Sequence, residues 1–300
     1  MDVVYYTNKG GREINEDSLF VADGAYVVCD GLGGHDSGEV ASNCAVNVMA
    51  ELCVEDTPYT PDLINTFYLR ANQAVIALKE QALTTIVGGF VRNGVFYYQS
   101  VGDSRLYYFR DNRRIAQTKD DSVCQAAVDL GSMDYEDIRT SEDRSRLLKV
   151  LGNDPELKIM RRYDPITIQP GDAFLVCSDG FWEHVLDGEM EDTLRDAADA
   201  EEWLNVMLRI QYSRARNLDD NYTVICGIAG PEDASAGSFG GDEKSAAEEV
   251  IHEEPAKPDR EPSGATVPDT GSQFKRISDQ DKAEDEEPEK RGFFARLFGR

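Results

Sequence analysis

Apolar residues in the first 229 positions fall into short runs and longer periodic segments. Short runs of β-branched and aromatic residues predict strands over Val3–Tyr6, Ser18–Ala22 and Ala25–Cys29, with Asp23-Gly24 as a tight hairpin turn between the last two. Gly38–Cys53 and Pro61–Glu80 read as helices. In the second, Leu63, Phe67, Ala71, Ala74 and Leu78 keep helical spacing, Thr60 stands at the cap position, Pro61 opens the first turn and Asp62 follows it.

A β-rich block comes next, at Thr84–Val91, Val95–Val101, Leu106–Phe109 and Arg113–Ala116. Asn93-Gly94 and Asp111-Asn112 punctuate it with strong turn pairs, which predicts an antiparallel meander. After a more polar stretch, Thr118–Leu151, the pattern gives a strand at Ala173–Cys177, a helix over Ala200–Asn217 and a last strand at Tyr222–Ile228. Strands in hairpins and helices in pairs argue for antiparallel sheets covered by helices, a layered sandwich, and against a doubly wound parallel sheet. No internal repeat is evident.

Positions 230–289 are different material. They consist largely of Ala, Ser, Gly, Pro, Asp and Glu with few aromatic or β-branched residues, too little apolar surface to offset the entropy of ordering. They are expected to form a disordered acidic linker. Positions 290–300 break that monotony: Phe293, Phe294, Leu297 and Phe298 share one face of a helical projection, with Lys290, Arg291, Arg296 and Arg300 around them. Two uses compete for this basic-aromatic peptide, docking into a groove of a protein partner or weak attachment to a membrane surface. A tether of about 60 residues gives either a reach of about 40 Å.

Charge narrows the partners. The chain carries −26 at pH 7, of which residues 231–300 contribute −8 and the residues before them −18. A domain this negative repels nucleic-acid phosphates, and no Lys/Arg stripe interleaved with aromatics runs through it, so no nucleic-acid partner is expected. The same field opposes phosphorylated substrates unless divalent cations and an arginine reverse it locally. Cys29, Cys44, Cys53, Cys124, Cys177 and Cys226 are scattered without a C-x-x-C pair and read as reduced packing residues. With no signal-peptide pattern and no apolar run of about 18 residues, a soluble cytoplasmic protein is expected.

Candidate chemistry lies in short acid-rich segments taken in order: Arg12-Glu13-Ile14-Asn15-Glu16-Asp17, Asp30-Gly31-Leu32-Gly33-Gly34-His35, Gly102-Asp103-Ser104-Arg105, Ser178-Asp179-Gly180 and Asp220-Asn221-Tyr222-Thr223. Clustered carboxylates without a nearby His or Cys pair suit Mg²⁺ or Mn²⁺ rather than zinc. Taken singly, each Asp more often braces a turn. So many acids at the ends of apolar strands, however, are costly without a cation. Gly33 and Gly34 lack a following Gly-Lys-Ser/Thr and read as a tight turn rather than a phosphate cradle.

With the Thr84-Thr85 pair and the run Gly171-Asp172-Ala173-Phe174-Leu175-Val176-Cys177-Ser178-Asp179-Gly180-Phe181-Trp182, these motifs make residues 1–229 resemble the metal-dependent Ser/Thr protein phosphatases of type 2C, in a bacterial-like form. The resemblance implies an α+β fold, a four-layer α/β/β/α sandwich of two antiparallel sheets flanked by helices, with two metals at one end. It implies that Asp30 bridges both Mn²⁺ or Mg²⁺ ions, that Gly31 adds a backbone carbonyl, that Asp179 and Asp220 are direct ligands and that Glu16 acts through metal-bound water. Asp17 would orient metal water, and Asp103 would hold a third, weaker metal shared with Asp179. The implied activity is hydrolysis of phosphoserine and phosphothreonine in proteins, a cognate Ser/Thr kinase among the substrates by analogy. Two cations about 3.5–4 Å apart would acidify a bridging water that attacks in line, and Arg12 would grip the phosphate bidentately.

One position departs from the animal members of that family, which carry a His after Asp-Gly; Leu32 stands here and cannot donate a proton. His35 as acid for the leaving oxygen is a hypothesis. Residues Thr118–Leu151 are expected to form a mobile flap facing the substrate, against the plainer reading of a surface helix pair. Arg105 reads as structural, Trp182 and Trp203 as core, and His184 and His252 earn no role. The alternative to an enzyme is a catalytically silent phosphatase-like binding module.

Overall fold

Hairpins set the connectivity, as the turn pairs require. The computed structural model describes residues 1–22, 24–33, 37–78, 82–159, 161–215 and 220–234, and a two-residue strand in the tail. Its first half runs β1 (Asp2–Asn8), β2 (Asp17–Ala22), β3 (Ala25–Leu32), α1 (Ser37–Leu52), α2 (Pro61–Ala77), β4 (Leu83–Thr84), β5 (Ile86–Arg92), β6 (Val95–Val101), β7 (Arg105–Arg110) and β8 (Arg113–Gln117). Then come α3 (Val123–Asp129), a 3-10 turn (Tyr135–Thr140), β9 (Ile166–Thr167), β10 (Ala173–Cys177), α4 (Asp179–Trp182), α5 (Asp187–Asp196), α6 (Ala200–Arg214), β11 (Tyr222–Ile228), a 3-10 turn (Pro231–Asp233) and β12 (Lys275–Arg276).

One sheet has the order β12-β1-β11-β10-β7-β8 and the other β2-β3-β5-β6-β9, with β4 added to β3. Period-two alternation in the strands sorts the apolar residues into three layers. Along β3, Tyr26 and Val28 face the space between the sheets, where Phe96, Tyr108, Phe174 and Ile225 meet them. Ala25, Val27 and Cys29 face the other way, onto Ala41, Met49, Tyr68 and Val75 of α1 and α2. The second sheet repeats the scheme: Leu175, Val224 and Cys226 pack under Trp182, Met190, Trp203 and Leu204. Three apolar layers between four layers of elements give the α/β/β/α sandwich that the resemblance implied.

Local signals are met where the physics is local. Thr60 Oγ1 accepts the Leu63 N–H at 3.1 Å, capping α2 with Pro61 in its first turn. Asn93, Gly94, Asp111 and Asn112 all have positive φ, the geometry of twisted hairpin turns. All six cysteines are buried and unbridged.

Several expectations are revised. The single strand expected over Thr84–Val91 is broken at Thr85 into β4 and β5, because Thr85 spends its hydrogen bonds on Asp30. β9 and α5 were not anticipated, nor was the short α4. Helix α2 ends at Ala77 and α6 at Arg214, earlier than their periodicity implied; positions 79–81 and 216–219 lie outside the described residues. So do Asp23, His35, the linker and the terminal peptide, except that β12 pairs with β1 through Val4↔Arg276 and Tyr5↔Lys275. Residues 118–151 contain α3, capped by Ser122, are closed on themselves by the bridge Ser122↔Leu147 and are tied to β4 by Thr84↔Leu151.

Candidate active site

The β2–β3 register places Asp17 directly opposite Asp30, and two threonines fix the second of these. Thr85 N–H donates to the Asp30 carbonyl at 2.8 Å, Thr85 Oγ1 accepts the Asp30 N–H at 3.0 Å, and Thr84 Oγ1 donates to the same carbonyl at 2.8 Å. Thr85 Oγ1 also meets Ser104 Oγ at 2.7 Å, tying Asp30 to the loop that carries Asp103. Gly31 follows where no side chain fits: a Cβ there would stand 2.2 Å from the Gly38 carbonyl oxygen and 2.7 Å from that of Glu16. That closeness lets the start of α1 press against the Glu16 segment, with the Glu16 side chain beside Gly38.

The opposite sheet delivers the remaining acids. Ser178, at the exit of β10, accepts the Thr223 N–H at 2.9 Å and donates its hydroxyl to Asp17 Oδ2 at 2.7 Å. Asp179 opens α4 and lies close enough to Asp30 for each carboxyl to perturb the other. Asp220 precedes β11 and accepts Arg12 Nη2 at 2.8 Å, in an ion pair about half exposed. Beside it Asn221 holds the whole Arg12 loop: Oδ1 accepts the Glu16 N–H at 2.8 Å, and Nδ2 donates to the Lys9 and Ile14 carbonyls at 2.9 Å each.

Asp103 is buried, and its carbonyl accepts the Trp182 indole N–H at 3.0 Å. Arg105, two residues on, is turned away from the acids and forks onto Asp120 with two 2.8 Å bonds, the structural role expected of it.

The cluster holds more acids than bases, and burial and mutual repulsion raise its buried carboxyls. Burial pushes the Asp17 carboxyl up to about 7, against the lowering effect of the Ser178 and Thr223 hydroxyls and with the charges of Asp220 and Glu16 adding to the rise. Asp179 is likewise pushed up to about 7, by burial first and then by Glu183 and Asp220. Asp30 and Asp103 are raised well above the carboxylate range, again by burial first and then by their acidic neighbours. Among the described residues no three His, Cys, Asp or Glu side chains are gathered closely enough to hold a metal ion as they stand, and Asp220 turns to Arg12. Even so, the donor set fits a hard divalent cation. It is all carboxylate oxygen, and Oδ1 of Asp17 and Oδ1 of Asp179 are buried without any hydrogen-bond partner.

Arg12, Glu16, Asp17, Asp30, Gly31, Asp103, Asp179 and Asp220 therefore meet at one end of the sandwich, where β2, β3, β10 and β11 terminate or begin. Trp182 and Trp203 are buried in the core as expected. Sequence reasoning gave no role to Thr84, Thr85, Ser178 or Asn221, which do the holding. The available signal was adjacency, since each lies in or beside a motif that supplies an acid.

The family model for protein phosphatase 2C matches residues 11–220. The chain belongs to the protein phosphatase 2C family. It is a bacterial-like member of these metal-dependent serine/threonine phosphatases. The serine/threonine phosphatase Stp of Listeria welshimeri is 28% identical over 242 residues, covering 75% of this chain and 94% of that protein. The serine/threonine protein phosphatase PstP of Mycobacterium tuberculosis is 31% identical over 197 residues, 61% of this chain and 37% of that one. A crystal structure of the M. tuberculosis PstP phosphatase superposes with a TM-score of 0.66 at 24% identity, over 75% of this chain and 99% of that one. A PstP catalytic domain in complex with two manganese ions superposes with a TM-score of 0.65, also at 24% identity, over 76% of this chain and 99% of that one.

Proposed function

We propose that this chain is a metal-dependent protein serine/threonine phosphatase that hydrolyses phosphoserine and phosphothreonine monoesters in proteins. The observation that carries the reading is the pair of buried, unpartnered oxygens on Asp17 and Asp179 among acids short of counter-charge. Asp30, the Gly31 carbonyl, Asp179 and Asp220 would hold two Mn²⁺ or Mg²⁺ ions, with Glu16 acting through water and Asp103 serving a third, weaker site. Bound there, the ions would reverse the acidic field and lower the pKa of a shared water enough for it to attack phosphorus.

The chain's own groups do the rest. Arg12 sits at the rim, where a phosphate dianion would compete with Asp220 for its fork and be gripped by two donors. Asp17, fixed by Ser178, is placed to orient water toward the phosphate. Thr84 and Thr85 keep Asp30 from relaxing away from its neighbours. The acid for the leaving oxygen is not assigned: Leu32 cannot serve, and His35 lies outside the described residues.

An active enzyme is preferred over a silent binding module because every carboxylate expected of the metal set is present in the sequence. Among the described residues no helix is long and apolar enough to cross a membrane, in keeping with a cytoplasmic signalling enzyme whose substrates include phosphoproteins and, by analogy, a cognate kinase. The basic-aromatic peptide at 290–300 is read as a docking element for such a partner.

The deciding experiment is hydrolysis of a phosphothreonine peptide with and without Mn²⁺, for the native chain and for Asp179→Asn. Manganese-dependent turnover, lost in the variant by at least about a hundredfold, is expected. No turnover under any metal would promote the silent module instead.

A further inference from the structure

Behind Asp103 lies a buried cluster built around a charge. Arg105 is only 1% exposed, and its Nε and Nη2 each donate to Asp120 at 2.8 Å. The guanidinium carbon stands 3.5 Å from the centroid of the Trp182 ring, in stacking contact. From the edge of that same indole, Nε1–H reaches the Asp103 carbonyl. On its far side Arg105 Nη1 donates to Tyr135 Oη at 3.2 Å. Tyr135 in turn accepts from Gln117 at 2.6 Å and donates to Asp187 at 3.1 Å. Asp187 also takes Arg139. One chain of contacts thus runs from the 3-10 turn of the 118–151 segment to the backbone of Asp103.

Stability alone is a poor reason for such a cluster. A buried ion pair sacrifices hydration that an apolar pair of similar volume would not, and is often no more stabilising. What it supplies is direction: a planar fork locked on Asp120 fixes the plane of the indole, and the indole fixes one carbonyl.

We propose that Trp182 is a positioning residue for Asp103: its indole N–H, held by the Arg105–Asp120 pair, sets the direction in which the Asp103 carboxylate meets a divalent cation. This rests on the reading of Asp103 as a cation ligand. Trp203 supplies the internal comparison. It lies in the same core layer, is fully buried, and its Nε1–H also donates to a backbone carbonyl, that of Met190 at 3.1 Å, but this carbonyl belongs to α5 and not to an acid of the site.

The test is a Mn²⁺ titration of the full chain followed by the paramagnetic signal of free manganese, with thermal unfolding measured alongside. Trp182→Phe keeps a ring under Arg105 and removes the donor. It is expected to weaken the weakest class of Mn²⁺ binding by about tenfold, the scale on which outer-shell partners act, and to leave the tighter class in place. Trp203→Phe is expected to leave the isotherm unmoved while costing comparable thermal stability. Equal shifts in the two variants, or none in Trp182→Phe, overturn the proposal. Arg105→Lys keeps the charge but loses fork and stack, so it should shift the same class; it carries the test if Trp182→Phe fails to fold. Asp103→Asn separates the two layers of inference. An unchanged isotherm there removes the ligand reading itself, whereas a shift in Asp103→Asn without one in Trp182→Phe removes only the positioning.

Discussion

Asn221 is the side chain by which the last strand of the fold holds its first loop. Its amide answers the Glu16 N–H and the Lys9 and Ile14 carbonyls at once, and Arg12 rides on the segment between them. Asn221→Ala would strip three partners, at about 1 kcal/mol each, so a loss of roughly 2–3 kcal/mol is expected by chemical denaturation. Because Arg12 loses its support while the acids of β3 and β10 keep theirs, KM for a phosphopeptide should rise about tenfold, more than kcat falls. A purely structural role would lower both stability and kcat without that split. The acids themselves were legible in the sequence because carboxylates at strand ends cost free energy unless something collects them. Asn221, Ser178 and the threonines were not, because their bonds span tens to hundreds of residues: Ser178 to Asp17, Thr85 to Asp30, Asn221 to Glu16. A single sequence carries no record of such distances, only the adjacency of these residues to the acids they serve.

Elements show the same division. Helix α2 was legible to the residue at its start, since cap, proline and apolar stripe are all local. Its buried face packs on α1 and the outer side of a sheet, and among the described residues no α2 side chain bonds an acid of the site. Thr60→Ala should therefore cost about 1 kcal/mol and lower Tm by about 2–4 °C for a domain of this size, with phosphopeptide turnover unchanged. A fall in turnover at temperatures far below Tm would mean that α2 communicates with the site. Helix α5 was missed for a physical reason, as only Met190 and Leu194 of its ten residues are buried and the rest is acidic or polar. Two apolar side chains do not define a period. The break between β4 and β5 was missed because Thr-Thr is good strand material by propensity, and the tertiary bonds to Asp30 override it.

Across the whole molecule, the question is what an acidic tail does for an acidic domain. β1 lies at the edge of the folded domain's sheet, and an unpaired edge is a template for further strands. β12 covers part of it at Val4 and Tyr5. The pairing shortens a tether. From Ala234 to Lys290 the sequence has 55 intervening residues, but from Arg276 only 13, so a chain of coil dimensions would reach about 20 Å instead of about 40 Å. Effective concentration falls roughly as the −3/2 power of tether length, so anchoring at β1 raises that of the 290–300 peptide beside the domain by about an order of magnitude. If that peptide docks a partner, deleting Gly292–Arg300 should leave kcat/KM for a small phosphopeptide unchanged and lower it for a native phosphoprotein. Lys275→Pro with Arg276→Pro removes two backbone donors that a ladder needs, and should reproduce part of the deletion's effect on the protein substrate while sparing the peptide. Equal effects of the deletion on both substrates would contradict docking. A proline variant indistinguishable from the native chain would instead detach the tether argument and leave the terminal peptide acting at its full length.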